Sequence, residues 1–144
     1  MYSVRTLLVA AAVWTTVNVT VAQAEIKVGI AGPLSGSTIN LGEQQEIGAQ
    51  KAFDHLSAEG GVLGEEIVVT SVNDACEPKQ AEATAWQLVD QGVIFVVGHA
   101  CSGASLAASK IYKEAGIIMI SPASTNPKVT DDGGSNVFRV TITQ

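Results

Sequence analysis

Residues 93–120, VIFVVGHACSGASLAASKIYKEAGIIMI, contain one complete strand–helix–strand pattern. The continuous apolar run at residues 93–97 predicts a strand covered on both faces, and a loop follows at residues 98–103. Gly116 ends the predicted helix, and residues 117–120 form the second apolar run. The helix is predicted because its apolar residues fall on one face: Ala104, Ala107, Ala108, Ile111 and Ala115. Two strands joined through a helix lie parallel in one sheet with a right-handed crossover, so this stretch predicts an α/β fold.

The same alternation extends to both sides of this stretch. Strands are predicted at residues 26–31, 67–72 and 137–141, and helices at residues 42–58 and from Pro78 onward. The expected fold class is therefore α/β, with a parallel sheet flanked by helices on both sides. Open sheets of this kind bind ligands at the carboxyl ends of their strands, where the strand order reverses. The loops predicted at that edge are residues 32–41, 74–79, 98–102 and 121–130.

Composition limits the class of protein and of partner. A chain of 144 residues with 47% hydrophobic residues can form one domain with a sizeable core. Acidic residues outnumber basic ones by 14 to 8, which gives a formal net charge of −6. A surface of that sign repels nucleic acid and anionic lipid, so we expect neither as a partner.

Residues 1–24 have the composition of a secretory signal peptide. Arg5 precedes an apolar stretch that begins at Leu7, and residues 22–24, Ala-Gln-Ala, have the small-x-small pattern that signal peptidase requires. The stretch is short and polar for a membrane span. We expect cleavage before Glu25, export of residues 25–144, and no integral membrane segment after removal. The alternative interpretation is a weak membrane anchor.

Two cysteines, Cys76 and Cys101, lie in the part expected to be exported. An even number of cysteines in an oxidising compartment favours a disulfide. Closing the loop between them would contribute roughly 3–3.5 kcal/mol in the chain-entropy model. Neither a CxxC motif nor a metal-ligand spacing is present, so we expect a structural disulfide and no metal site.

The sequence offers no support for catalysis or for a cofactor. The glycines after the first predicted strand, Gly29, Gly32 and Gly36, do not form GxGxxG, and no phosphate-binding loop is present. GxSxG, HExxH and SxxK motifs are absent as well. His55 and His99 have no carboxylate or nucleophile at a useful spacing in the sequence. We therefore expect no enzyme activity and no cofactor.

The predicted loops do offer hydroxyl groups and backbone amides. Ser102 lies between a strand and a helix, at a plausible N-cap, where unpaired N–H groups can hold a carboxylate. The alternative is a capping serine without any ligand. Residues 121–125, Ser-Pro-Ala-Ser-Thr, could contact a polar ligand or simply form a turn into a short helix at Pro127.

Five segments, in this order and spacing, resemble the Leu/Ile/Val-binding proteins, a family of periplasmic solute-binding proteins. The resemblance runs without a gap from about Glu25 to Arg139. The segments are IKVGIAGPLSG at residues 26–36, GGVLG at 60–64, NDACEPKQA at 73–81, GHACS at 98–102 and ISPAST at 120–125.

The resemblance implies a fold and a role. Residues 25–144 would be the incomplete N-terminal lobe of a type I periplasmic binding protein, whose two lobes close on an amino acid. Such a protein is not an enzyme; it delivers the amino acid in the periplasm to an inner-membrane ABC permease. The family's cysteines at positions 76 and 101 form a disulfide.

The resemblance also assigns roles to residues of the site. The family's serine at the position of Ser102 holds the ligand α-carboxylate through its hydroxyl and backbone N–H. The positions of Ala123 and Thr125 supply a carbonyl and a hydroxyl to the α-ammonium group. Leu41 stands where family members commonly place an aromatic residue against the ligand side chain, so an aliphatic ligand is expected. Leucine, isoleucine and valine are the first candidates.

The length of this chain, compared with that of the family, leaves more than one interpretation of its function. Family members are more than twice as long, so the second lobe and the acidic residue that completes the ammonium site are missing from residues 1–144. We expect a truncated product or fragment that binds weakly or not at all. The other hypotheses are a sensory or regulatory ligand-binding domain of the same fold and a small flavodoxin-like enzyme.

Overall fold

The computed structural model describes residues 24–142, so the predicted signal peptide, apart from Ala24, lies outside the described residues. In the described part, strands and helices alternate along the chain. The strands are β1 (Glu25–Gly32), β2 (Glu66–Asn73), β3 (Phe95–Gly98), β4 (Ile118–Ser121) and β5 (Val137–Arg139). The helices are α1 (Ile39–Ala58), α2 (Pro78–Asp90), α3 (Ser102–Ala115) and α4 (Lys128–Asp131).

All neighbouring strands pair in parallel, in the order β2-β1-β3-β4-β5. This confirms the predicted α/β fold with a parallel sheet. The chain adds β2 on one side of β1 and then continues on the other side with β3. The strand order therefore reverses between β1 and β3, and we call this place the switch point. In open α/β sheets ligands bind beside such a point, at the carboxyl ends of the strands.

The core has two parts, one on each face of the sheet. On one face α2, α3 and α4 pack against the sheet through a large apolar cluster that includes Leu88, Val96 and Met119. On the other face α1 packs through Ala49 and Phe53. The ring of Phe53 meets the ring of Phe95 edge to face, with centroids 6.4 Å apart.

Helices lie on both sides of the sheet, as predicted, but the second face is covered only in part. Ile118 and Phe138 lie on the same face as Phe95, because Phe95 pairs with Ile118 and Ile120 pairs with Phe138. Their side chains are 44% and 48% exposed. Helix α1 packs mainly on β1 and β2 and reaches β3 through Phe53 and Gln45, so it leaves these two residues of β4 and β5 exposed.

The strand predicted to begin at Val93 begins at Phe95. Val93 instead belongs to the end of α2, where Gly92 adopts a left-handed conformation and the Val93 N–H donates to the Leu88 carbonyl. This is the hydrogen-bond pattern of a Schellman cap, in which the residue after the turn also packs against the helix. A buried Val93 therefore continues the apolar run without belonging to the strand.

Helix α1 begins three residues earlier than predicted, so Leu41 lies in its first turn and not in the preceding loop. Its buried face also differs from the apolar face that the sequence spacing predicts, which is Ala49, Ala52, Phe53 and Leu56. Ala52 is exposed and Leu56 is 38% exposed, whereas Gln45 is buried in line with Ala49 and Phe53. Since Gln45 is polar, the apolar spacing did not indicate its place on this face.

Two glycines of α1 allow a matched test of this packing. A Cβ on Gly42 would overlap the carbonyl of Pro33, whereas a Cβ on Gly48 would meet open space. We expect Gly42→Ala to lower the free energy of unfolding by about 1–3 kcal/mol, as overpacking does. Gly48→Ala should raise it by about 0.5–1 kcal/mol, the helix-propensity difference. Urea unfolding measures both, and an equal gain in the two variants would show that Pro33 does not pack tightly on α1.

Candidate functional site

Ser102 is the first residue of α3, beside the switch point at the carboxyl end of β3. It is not the N-cap, and that prediction was wrong. Cys101 occupies the cap position in an extended conformation, and its carbonyl accepts the first helical hydrogen bond, from the Ser105 N–H at 2.9 Å. The hydroxyl of Ser102 is thus not used for capping. Instead Oγ accepts the backbone N–H of Asn126 at 3.3 Å.

The segment after β4, residues 122–126, carries Ala123 and Thr125, both half-buried. Since β3 and β4 are neighbours in the sheet, this segment lies beside the start of α3, and the Asn126–Ser102 hydrogen bond joins the two. The structure therefore brings Ser102 next to the segment that holds Ala123 and Thr125. Leu41 lies apart from them in α1, which follows β1, with its side chain 38% exposed.

A disulfide joins Cys76, in the loop after β2, to Cys101 at the start of α3, with Cα atoms 5.4 Å apart. The predicted pairing is confirmed. Ala75 and Cys76 both have positive φ, at 50° and 61°. The Asp74 carboxylate supports this turn by accepting the Cys76 N–H at 2.8 Å.

A buried polar chain runs behind the disulfide. His99 Nδ1 lies 2.6 Å from Asp74 Oδ2, and His99 Nε2 lies 3.2 Å from the Tyr112 hydroxyl. All three side chains are fully buried. Burial, and then the nearby charge of Asp74, raises the pKa of the Tyr112 phenol well above its ordinary value. The phenol therefore stays protonated. In the tautomer with its proton on Nδ1, the imidazole donates to Asp74 and its Nε2 accepts the phenol proton.

This arrangement corrects the expectation that His99 has no carboxylate partner. Asp74 is 25 residues away in sequence and reaches His99 because the loop after β2 and the loop after β3 both lie at the carboxyl edge of the sheet. Sequence spacing could not indicate that contact. Tyr112, one turn before the end of α3, was missed for the same reason.

The carbonyl of His99 organises the segment after β4. It accepts the hydroxyls of Ser105 at 2.8 Å and Ser121 at 2.6 Å. A carbonyl oxygen has two lone pairs, so these two bonds use its acceptor capacity. The hydroxyl of Ser124 lies 2.7 Å from Ser105 Oγ, its shortest contact, and 3.2 Å from the carbonyl of Ala100. The serines thereby fasten residues 121–124 to the turn that carries the disulfide.

Gln45 fastens the two strands at the switch point. Its Nε2 donates to the carbonyl of Ala31 at 2.9 Å and to the carbonyl of Val97 at 3.0 Å, and so it links the ends of β1 and β3. Its Oε1 is buried without a hydrogen-bond partner among the residues that the structure describes. This role could not be predicted from sequence, since one glutamine on a helix resembles any surface residue.

Asn73 joins the loops after β1 and β2. Its Oδ1 accepts the N–H groups of Leu34 at 2.8 Å and Ala75 at 2.9 Å, and its Nδ2 donates to Ser35 Oγ at 2.8 Å. The loops after β1 and β2 are therefore held to each other by one exposed and two partly buried hydrogen bonds of backbone, amide and hydroxyl groups. This is a preformed edge of backbone amides, carbonyls and hydroxyls.

The described part of the chain lacks both a metal-ligand cluster and a membrane-spanning helix. Residues 24–142 contain no group of three or more His, Cys, Asp or Glu side chains placed to hold a metal ion. No helix in that range combines the length and the apolar character that crossing a membrane requires.

Comparison with known proteins identifies the class. The sequence model of the family described as periplasmic binding protein matches residues 25–144. The chain therefore belongs to the periplasmic binding protein family, as the sequence motifs predicted. Within it, an amino acid binding protein of Pseudomonas aeruginosa is 50% identical over 120 residues, covering 83% of this chain and 32% of that protein. The Leu/Ile/Val-binding protein of Citrobacter freundii is 43% identical over 117 residues, covering 81% and 32%.

Solved structures agree with the fold. The branched-chain amino acid transporter substrate binding protein LivJ from Streptococcus pneumoniae, in complex with isoleucine, matches with a TM-score of 0.78 and 35% identity. The match covers 83% of this chain and 34% of that protein. The fold is thus that of a partial N-terminal lobe of a type I periplasmic binding protein, and the chain spans about one third of the length of these relatives.

Proposed function

We propose that this chain supplies the N-terminal-lobe half of an amino-acid site in a solute-binding component of a branched-chain amino-acid ABC transporter. The observation that carries the proposal is the position of Ser102. It begins a helix of 14 residues at the switch point, and its hydroxyl faces the segment of Ala123 and Thr125. The names of the relatives, which bind amino acids, support this substrate class.

The start of α3 suits a carboxylate. Helix geometry leaves the N–H groups of its first turn without helical partners, and the helix dipole adds partial positive charge. The oxygen of Ser102 already accepts the Asn126 N–H, so its own proton remains available for the ligand. An α-carboxylate placed here would receive charge-assisted hydrogen bonds without any basic side chain.

The segment after β4 suits an ammonium group. The carbonyl of Ala123 and the hydroxyl of Thr125 are acceptors within one turn of chain, and the serine hydroxyls hold this segment against the turn after β3. In α1, Leu41 offers an apolar surface toward an aliphatic side chain. We assign these four residues as ligand contacts: Ser102, Ala123, Thr125 and Leu41.

The remaining parts of the proposal follow from the family. Residues 1–24 would direct export to the periplasm, and an inner-membrane ABC permease would receive the amino acid. The ligand would be enclosed by a second lobe, which residues 25–144 do not contain. We therefore expect this chain to bind more weakly than a two-lobed protein.

Isothermal titration of the protein with isoleucine, leucine, valine and glycine tests the proposal. Isoleucine, leucine or valine should bind, and glycine should bind less tightly because it makes no apolar contact. Ser102→Ala should weaken binding by about 10-fold to 150-fold, the loss of one hydrogen bond to a charged group. Ser57→Ala, at an exposed position of α1, should bind like the unmodified protein. Absence of binding by all four amino acids, or equal binding by the two serine variants, would contradict the proposal.

A further inference from the structure

Arg139, the last residue of β5, reaches back over the segment after β4. Its Nη1 donates to the carbonyl of Thr125 at 3.1 Å and, in a longer contact of 3.4 Å, to the carbonyl of Ser124. Its Nη2 lies 3.3 Å from Oγ1 of Thr130. Among the residues that the structure describes, the guanidinium forms no ion pair. The half-buried guanidinium thus binds backbone carbonyls and one hydroxyl through its two terminal nitrogens, while Nε is buried without a hydrogen-bond partner among the described residues.

The two carbonyls belong to the two peptide groups on either side of the Thr125 Cα. Fixing both peptide planes fixes φ and ψ of Thr125, and with them the direction of its side chain. A planar guanidinium suits this task because its N–H groups have a rigid, forked arrangement. The lysine ammonium, a point charge on a flexible chain, does not reproduce that fork.

Other contacts hold this segment only at its ends. The Ser124 hydroxyl is held by Ser105 Oγ at 2.7 Å, and the Asn126 N–H is bound at Ser102 Oγ. Between these anchors, Arg139 supplies the hydrogen bonds to the backbone of Thr125. The arginine is itself held in register, since the N–H of Val140 donates to the carbonyl of Ser121 at 3.1 Å.

We propose that Arg139 is a positioning residue: it orients the Ala123–Thr125 acceptors toward the ligand without touching the ligand. The inference rests on the proposed function for its effect on affinity, whereas the orientation of the segment is a property of the chain alone. The charge sits behind the segment and draws the Ser124 and Thr125 carbonyls toward itself. The hydroxyl of Thr125 and the carbonyl of Ala123 are then left for the ammonium group.

The test uses the full chain and three variants: Arg139→Lys, Arg139→Ala and Thr130→Val. The valine variant removes the acceptor of Nη2 and leaves both carbonyl contacts in place, so it is the matched control. The first readout is the backbone amide NMR shift of Thr125 and Asn126, whose N–H groups share peptide units with the two carbonyls. Both amides should shift in the Arg139 variants and stay near their original positions in Thr130→Val. This readout needs no ligand.

The second readout is the dissociation constant for isoleucine, with the thermal unfolding midpoint measured alongside. Arg139→Lys should weaken binding on the order of tenfold, the effect of losing one hydrogen bond to a charged group, while its midpoint stays close to that of the unmodified protein. Unmoved amides in Arg139→Lys, or moved amides with unchanged affinity, would overturn the proposal. If Arg139→Ala does not fold, Arg139→Lys decides. If the unmodified protein binds no isoleucine, the proposed function fails, and the amide shifts alone decide whether Arg139 orients the segment.

Discussion

Replacing Asp74 with alanine is expected to lower the free energy of unfolding by about 2–6 kcal/mol. The carboxylate accepts the Nδ1 proton of His99 and the backbone N–H of Cys76, at 2.6 Å and 2.8 Å. Its removal leaves both donors without an acceptor, and each orphaned buried donor costs about 1–3 kcal/mol. Chemical denaturation measures the loss. Asp54, which accepts an exposed hydrogen bond from Gln50 on α1, is the control, and Asp54→Ala should change stability by less than about 0.5 kcal/mol.

Asp74→Asn separates the two contacts. The amide oxygen can still accept the Cys76 N–H, but the amide nitrogen then faces His99 Nδ1. The imidazole is expected to respond by moving its proton to Nε2, from which it donates to the Tyr112 oxygen. Nitrogen NMR of the imidazole would detect this change of tautomer. A loss in Asp74→Ala no larger than that in Asp54→Ala would show that the buried chain does not stabilise the fold.

Removing the disulfide with the paired change Cys76→Ser and Cys101→Ser is expected to lower the free energy of unfolding by roughly 3–3.5 kcal/mol. The bond closes a loop of sequence separation 25, and the estimate is the chain entropy that the unfolded state regains. The bond also stabilises the turn at Ala75 and Cys76. Both residues adopt the left-handed conformation, which is unfavourable for residues that carry a Cβ atom.

Urea unfolding of the oxidised protein, the reduced protein and the serine pair provides the comparison. The reduced protein and the serine pair should agree with each other, because both lack the crosslink. If the reduced protein and the serine pair were as stable as the oxidised protein, the disulfide would add no stability beyond that of the hydrogen bonds of Asp74. The dissociation constant for isoleucine is the second measurement. Because Cys101 directly precedes Ser102, loss of the disulfide can weaken ligand binding to a different extent than it lowers the free energy of unfolding.

The order of strands and helices could be predicted because each element has its own local signal. The apolar spacing of α3, the glycine after it and the continuous strand run are all short-range patterns. The disulfide could be predicted from two cysteines and the expected compartment. The contacts of His99 could not be predicted, because Asp74 and Tyr112 approach it only after the sheet has assembled.

The errors at α1, β3 and Ser102 have the same kind of cause. Val93 is apolar because it packs after a helix cap, and Gln45 is buried because two strand-end carbonyls need a donor. The cap position of α3 belongs to Cys101, whose backbone is extended and whose carbonyl accepts the first helical hydrogen bond. In each case a tertiary contact decides the role of a residue whose type, taken alone, indicates something else.

The bare half of the sheet, where Ile118 and Phe138 are exposed, is an apolar surface through which we expect copies of this chain to associate. Next to it β5 is an edge strand with open backbone groups, an arrangement that promotes pairing between chains. At neutral pH the net charge of −6 keeps copies apart by mutual repulsion. Lowering the pH toward the isoelectric point near 4.7 neutralises the net charge, and high salt screens it. Either change weakens that repulsion while the apolar face remains. We then expect association of folded copies, rather than unfolding, to limit the concentration that the protein can reach at a given pH and salt concentration.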